Sequence, residues 1–87
     1  MHAVVVKLTI NDLEADLDEL RGHVVPQISQ AAEFVTGFWT RKGHTGLSMI
    51  IFESEDAANA ATERVRSVVT DVATVDEVEV REVVAHA

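Results

Sequence analysis

Four stretches of the chain have the alternation of apolar and polar positions, or the β-branched content, that is typical of strands. They are Ala3–Ile10, Glu33–Arg41, His44–Ser54 and Thr74–Ala87. The first and third carry apolar side chains on both faces, which favours a central place in a sheet. The last has Glu77, Glu79 and Arg81 along one face, a pattern that suits an edge strand.

The same alternation assigns individual side chains to faces. In the second strand we expect Phe34 and Phe38 to share one face, and Trp39 and Arg41 to share the other. In the third strand Met49 is expected on one face, together with Leu47 and Ile51, and Ile50 and Phe52 on the opposite one.

Two segments between the strands repeat apolar residues at steps of three and four, which predicts amphipathic helices. In Asn11–Ala32 the apolar stripe consists of Leu13, Leu17, Leu20, Val24, Ile28 and Ala31. Pro26 lacks a backbone N–H and presses against the carbonyl of Gly22, so we expect a kink or a break there and a short helical piece after it. In Ser54–Val69 the stripe consists of Ala57, Ala61, Val65 and Val68, and Ser54 is expected to cap the helix.

The resulting order is β-α-β-β-α-β. With right-handed crossovers it predicts one α+β domain over residues 1–87, a ferredoxin-like sandwich of a four-stranded antiparallel sheet and two helices. This topology places the first and third strands in the centre, in agreement with their apolar patterns. The helices cover one face only, so we expect a homodimer in which a second copy covers the other, burying ~800 Å² per partner.

The composition of the chain argues against several classes of site and partner. The chain has no Cys, which excludes disulfides and thiolate sites, and its net charge of −8 argues against nucleic acid and anionic membranes as partners. Neither a leader peptide nor an apolar run of ~20 residues is present, so a cytoplasmic protein is expected. The glycines form no phosphate-binding loop, and no set of three metal ligands is evident, so we predict neither a cofactor nor a metal site.

Acidic residues crowd the start of the first helix, at Asp12, Glu14, Asp16, Asp18 and Glu19. Carboxylates at a helix N-terminus interact favourably with the helix dipole, which is the simpler interpretation. A divalent-cation site is the alternative, although the stretch lacks the Gly-centred loop of an EF-hand and a helix would scatter these side chains around its circumference.

Few residues have the chemistry of an active site. His23 is either a base facing a pocket near the expected kink or an exposed helical His. Trp39, the only Trp, lines a pocket or packs in a dimer interface. Arg41 is either solvated or binds an anionic group of a substrate.

Two segments of the chain resemble a known family. The segments "EFVTGFWTRKGHTGLSMIIFESEDAANAA" and "VEVREVVAHA" resemble the dimeric α+β barrel superfamily, in particular small antibiotic-biosynthesis-monooxygenase-like domains of actinobacterial type. The resemblance covers the whole chain. It implies a homodimer with a pocket between sheet and helices, and in some members oxidation of polyphenolic substrates by oxygen without metal or flavin.

Other members of this superfamily degrade heme with an Asn after the first strand, a Trp on a strand and a His on the second helix. Asn11 and Trp39 resemble two of these positions, but the second helix contains no His, which argues against heme degradation.

Two hypotheses follow. In the first, the chain is a dimeric domain without catalysis, which binds a small apolar or aromatic molecule or serves as an assembly module. In the second, it is a cofactor-independent monooxygenase acting on an aromatic substrate, with His23 as base and Asn11 as hydrogen-bond donor. In either case the expected ligand-binding residues are Trp39, Phe38, Phe34, Arg41 and Met49.

Overall fold

The computed structural model describes all residues from Met1 to Ala87. The strands are β1 (His2–Ile10), β2 (Phe34–Lys42), β3 (Thr45–Phe52) and β4 (Ala73–Glu82). The helical segments are α1 (Leu13–Glu19), a π turn (Leu20–Val24), α2 (Val25–Ser29) and α3 (Glu55–Val68).

The strands form one antiparallel sheet in the order β2-β3-β1-β4. The predicted ferredoxin-like α+β fold is therefore confirmed, with β1 and β3 in the centre. The core lies between this sheet and the helices, where the largest fully buried side chains are Val4, Val6, Ile28, Ile50 and Phe52. Burying each such side chain stabilises the fold by roughly 1.5–3 kcal/mol.

Helix ends follow the expected capping chemistry. The Asp12 carboxylate accepts a hydrogen bond from the backbone N–H of Ala15, and the Ser54 hydroxyl accepts one from Ala57. None of the helices has both the length and the apolar character that a bilayer span requires.

A break was one expectation for Pro26, but the helical segment between β1 and β2 continues through this residue. Instead it widens into the π turn, in which the Val25 N–H donates to the Leu20 carbonyl, five residues back. Pro26 then lies in the first turn of the short α2, where a missing N–H is tolerated. The interruption and the short second piece are as predicted, whereas a break was wrong, because the helical segments follow one another without a gap.

A β-bulge changes the faces of β2. The register with β3 shifts between Phe34 and Thr36, so Val35 is an extra residue. Phe34 consequently points into the core, where its ring meets Phe52 edge-to-face at a centroid distance of 6.1 Å. The prediction that Phe34 shares a face with Phe38 was wrong because the strict alternation assumed no bulge.

The face of the sheet that carries no helix is called here the open face. Its apolar centre consists of Val5, Phe38, Leu47, Met49 and Ile51, which the strand register places side by side. Phe38 is 61% exposed, and Leu47 and Met49 are nearly half exposed. The expected apolar, helix-free face is therefore present.

Candidate functional site

A cleft lies between the sheet and the first helical segment, at the end of the sheet where β1 finishes. It has two neighbouring compartments that share the side chains of Leu8, Asp16, Leu20, Trp39 and Ser48. The inner compartment, about 30 Å³, is lined mainly by apolar core residues, and the outer one is about 170 Å³. A cavity of about 150 Å³ accommodates benzene, so the outer compartment has room for a single aromatic ring.

Asp16 is the buried acidic group of this cleft, with only 5% of the residue exposed. Its carboxylate accepts no hydrogen bond and forms no ion pair within the chain. Burial raises the pKa of Asp16 above its ordinary value of 3.8, and the nearby Arg41 charge partly opposes this rise. The carboxylate is therefore a stronger base than an exposed aspartate, and its oxygens are unpaired.

Arg41 reaches the outer compartment from β2. One guanidinium nitrogen, Nη1, donates to the Leu13 carbonyl oxygen at 2.9 Å, which fixes the group beside α1. A guanidinium has five N–H donors, so the others are available to a ligand.

The indole of Trp39 forms a wall of both compartments. It folds back over Gly37 on the same strand, so closely that a Cβ at Gly37 would lie 2.6 Å from the indole Cη2 atom. Glycine is required here because any side chain would displace the ring.

Ser48 adds a hydroxyl group to the cleft. It lies on the core side of β3, paired with Trp39 on β2 and with Val6 on β1, and only 3% of it is exposed. A hydroxyl can both donate and accept a hydrogen bond, so Ser48 can bind either a donor or an acceptor group of a ligand.

The five predicted ligand-binding residues do not form one site. Trp39 and Arg41 line the cleft, whereas Phe34 packs in the core against Phe52. Phe38 and Met49 lie on the open face, on the other side of the sheet. The strand alternation separates Trp39 from Phe38, and the bulge separates Phe34 from Phe38.

The two predicted catalytic residues also lie outside the cleft. His23 is exposed in the π turn, between Leu20 and Val24, which do line the cleft. The Asn11 amide donates to the Asp71 carbonyl oxygen at 3.0 Å and so joins the end of β1 to the loop before β4. Neither His23 nor Asn11 therefore joins Trp39 in the cleft.

Sequence reasoning missed Asp16 and Ser48 as site residues, although the patterns contained a signal for each. Asp16 lies three residues after Leu13 and four before Leu20, and is therefore on the apolar stripe of the helix. Ser48 alternates with Ile50 and Phe52 and is thus an inward-facing polar residue. A polar residue in an apolar stripe is the informative exception.

Metal binding has no support in the geometry. No group of three or more His, Asp or Glu side chains converges anywhere in the chain. Of the acidic stretch, Asp12 caps α1 and Asp16 turns into the cleft, while Glu14 and Asp18 are exposed.

No family model matches the chain, and no curated protein matches it. Among solved structures, it superposes on a mutant of SnoaB, described as a cofactor-independent oxygenase from Streptomyces nogalater, with a TM-score of 0.69. The alignment covers 98% of this chain and 94% of the SnoaB chain, at 14% sequence identity. The chain has the SnoaB fold.

This likeness to SnoaB agrees with the α+β fold that the resemblance implied. A structural likeness at 14% sequence identity shows a shared fold but does not show a shared reaction. The chemistry of this chain has to be argued from its own cleft.

Proposed function

We propose that the chain binds a small aromatic molecule carrying an acidic hydroxyl group, in the cleft between Trp39 and Asp16. The observation that carries the proposal is the Asp16 carboxylate, which belongs to a largely buried residue, has no hydrogen-bond partner within the chain and lies in the cleft beside the Trp39 indole. A ligand hydroxyl that displaces water from this acceptor would give it the partner that the chain does not supply.

The cleft fits the two ends of such a ligand. The ring would occupy the outer compartment against the Trp39 indole, an arrangement that aromatic pairs favour. The hydroxyl would donate to Asp16, and Ser48 and Arg41 would hydrogen-bond further oxygen substituents. Compounds of this class include phenol and its ring-hydroxylated derivatives.

The binding test uses the single indole N–H of the chain as a reporter. In ¹⁵N-labelled protein, titration with phenol is expected to shift the Trp39 indole signal, and anisole, which cannot donate, is expected to bind at least about tenfold more weakly. Asp16→Asn should weaken this preference for phenol, because a neutral amide oxygen is a poorer acceptor than a carboxylate. Asp18→Asn, an exposed position on the same helix, should keep it. Equal binding of phenol and anisole by the unaltered chain would refute the proposal.

Cofactor-independent oxygenation is the second candidate function, favoured by the SnoaB fold together with a base in an apolar cleft. Asp16 would accept the proton of the phenolic hydroxyl, because burial has raised its pKa. The phenolate would then reduce O₂: one oxygen atom forms a new carbonyl on the ring and the other leaves as water. Phenol plus O₂ gives quinone plus water, so the substrate supplies all four electrons.

An oxygen electrode separates the two candidates. Oxygen uptake with one-ring phenols, reduced about 10²–10⁴-fold by Asp16→Asn, would establish the oxygenase. Binding of phenol with no oxygen uptake would leave the chain as a binding domain.

We also propose that a second copy of the chain covers the open face. Its exposed apolar centre, with Phe38 and Met49, is the kind of surface that a homodimer buries. The helix side, which holds the cleft, would stay accessible in this arrangement.

A further inference from the structure

Besides Leu17 and Glu19, the first helical segment lines the cleft with four residues at intervals of four. They are Asp16, Leu20, Val24 and Ile28, all of which line the cleft. In a regular α-helix each step of four overshoots a full turn by about 40°. Three such steps add up to about 120°. A continuous α-helix that buries Ile28 would therefore point Asp16 sideways, away from the cleft.

The π turn lies in the middle of this run, at Leu20–Val24. A π turn contains more residues than an α turn, so it takes up the overshoot and keeps all four positions in line. The observed burial agrees: Asp16 is 5% exposed, Val24 is 9% exposed and Ile28 is fully buried.

Pro26 gives a chemical reason for the π turn. In an α-helix the Gly22 carbonyl would need the N–H of the residue four positions on, which is Pro26 and has none. A carbonyl in a π turn takes its donor from five positions on, as Leu20 does from Val25, so the missing Pro26 donor then concerns the Arg21 carbonyl. Because either geometry lacks one bond at Pro26, and the α-helix also presses the Pro26 ring against the Gly22 carbonyl, the α-helix loses its usual advantage here.

We propose that Pro26 and the π turn are a positioning device, which rotates α1 so that the Asp16 carboxylate faces the cleft. Asp16 is the group that touches the ligand, and Pro26 acts through it. The inference deepens the proposed function and rests on it for the role of Asp16. The other charged side chains that line the cleft are Arg41 from β2 and Glu19 from α1.

The first variant is Pro26→Ala, which restores the missing N–H. We expect the segment to relax to a continuous α-helix, in which the Val25 N–H bonds to the Arg21 carbonyl instead of the Leu20 carbonyl. Through-hydrogen-bond NMR couplings report this change of partner directly. Asp16 should turn into water, and its pKa, followed by ¹³C NMR of the carboxyl carbon, should fall towards 3.8.

The second variant combines Pro26→Ala with deletion of Arg21, an exposed residue of the π turn. The deletion shortens the interval from Asp16 to Ile28 to eleven residues, which in an α-helix is three turns plus only about 20°. Asp16 should return to the cleft, with its raised pKa restored. If Pro26 had a merely structural role, removing a further residue would not restore Asp16.

Binding of phenol gives a separate readout. Pro26→Ala should weaken it about tenfold or more, and the deletion should restore most of the loss. A Pro26→Ala chain that keeps the Leu20–Val25 bond and the raised pKa overturns the positioning role, even if phenol binds. A deletion variant that is unfolded, or that leaves Asp16 in water, overturns it too. Failure of the unaltered chain to bind phenol refutes the proposed function, while the two structural readouts still decide the positioning role.

Discussion

The carboxyl group of Asp16 is partly desolvated and has no hydrogen-bond partner within the chain, so its charged form is disfavoured in the folded chain. A carboxyl group whose pKa is raised by folding makes the native state bind more protons than the unfolded state. The contribution of Asp16 to the free energy of unfolding is then highest at low pH. It falls as the pH rises from the pKa of Asp16 in the unfolded chain through its pKa in the folded chain. The cleft is thus maintained at a cost in stability near neutral pH.

Asp16→Asn should remove this pH dependence. The free energy of unfolding of the variant, relative to the unaltered chain, is expected to increase from about pH 3 upwards and to level off once Asp16 is ionised in the folded chain, by about 1.4 kcal/mol for each unit of pKa shift. Urea unfolding at several pH values measures it. An increase of the same size in Asp18→Asn would show that the effect does not come from burial.

Gly37 and Trp39 form a second residue-scale unit of the cleft. In Gly37→Ala the new methyl group would lie 2.6 Å from the indole, so the ring has to move. We expect a loss of about 1–3 kcal/mol in stability, the usual cost of overpacking, and a shift in the emission of the single Trp. Thr36→Ala, at the neighbouring exposed position, is the control and should leave the emission unchanged. An unchanged emission spectrum in Gly37→Ala would contradict the described contact.

At the scale of elements, the regular patterns were predictable and the irregular ones were not. Period-two and period-four patterns identified all four strands and both helical regions, because burial repeats with the geometry of the element. The bulge at Val35 and the π turn each add one residue to an element, and tertiary packing decides where such a residue goes. The face of Phe34 depends on the extra residue of the bulge, so strict alternation placed Phe34 with the wrong neighbours.

Asn11 gives a prediction at this scale, because its side chain joins two elements. Asn11→Ala removes the hydrogen bond to the Asp71 carbonyl and should destabilise the chain by about 0.5–1.5 kcal/mol. Binding of phenol should be unchanged, since Asn11 lies outside the cleft. Thermal unfolding and the indole titration measure the two effects. Loss of binding without loss of stability would instead favour the catalytic role first expected for Asn11.

At the scale of the whole molecule, the sheet separates two surfaces with different chemistry. The cleft lies on the helix side, and the exposed Phe38 and Met49 lie on the open face. The fold and the uncovered face could be predicted because both follow from the order and the apolar pattern of the strands. The placement of ligand residues could not, because Trp39 and Phe38 are sequence neighbours on opposite surfaces.

The proposed homodimer is tested by placing a charge on the open face. Sedimentation of the unaltered chain is expected to give twice its 9.5 kDa mass, and Phe38→Asp should give a monomer, because a buried unpaired carboxylate is costly. Asn59→Asp adds the same charge on α3, on the helix side, and should leave the dimer intact. A monomeric unaltered chain would contradict the proposal.

The π turn also has a consequence for evolutionary comparison. A homologue with a regular α-helix in this segment would be one residue shorter between Leu20 and Val24, and correct alignment would need a gap inside the helix. Position-by-position comparison without that gap would match Asp16 with a neighbour of its true counterpart. In this fold, single-residue insertions within helices and strands, and not only loop changes, are a route by which an ancestral scaffold can acquire a different pocket.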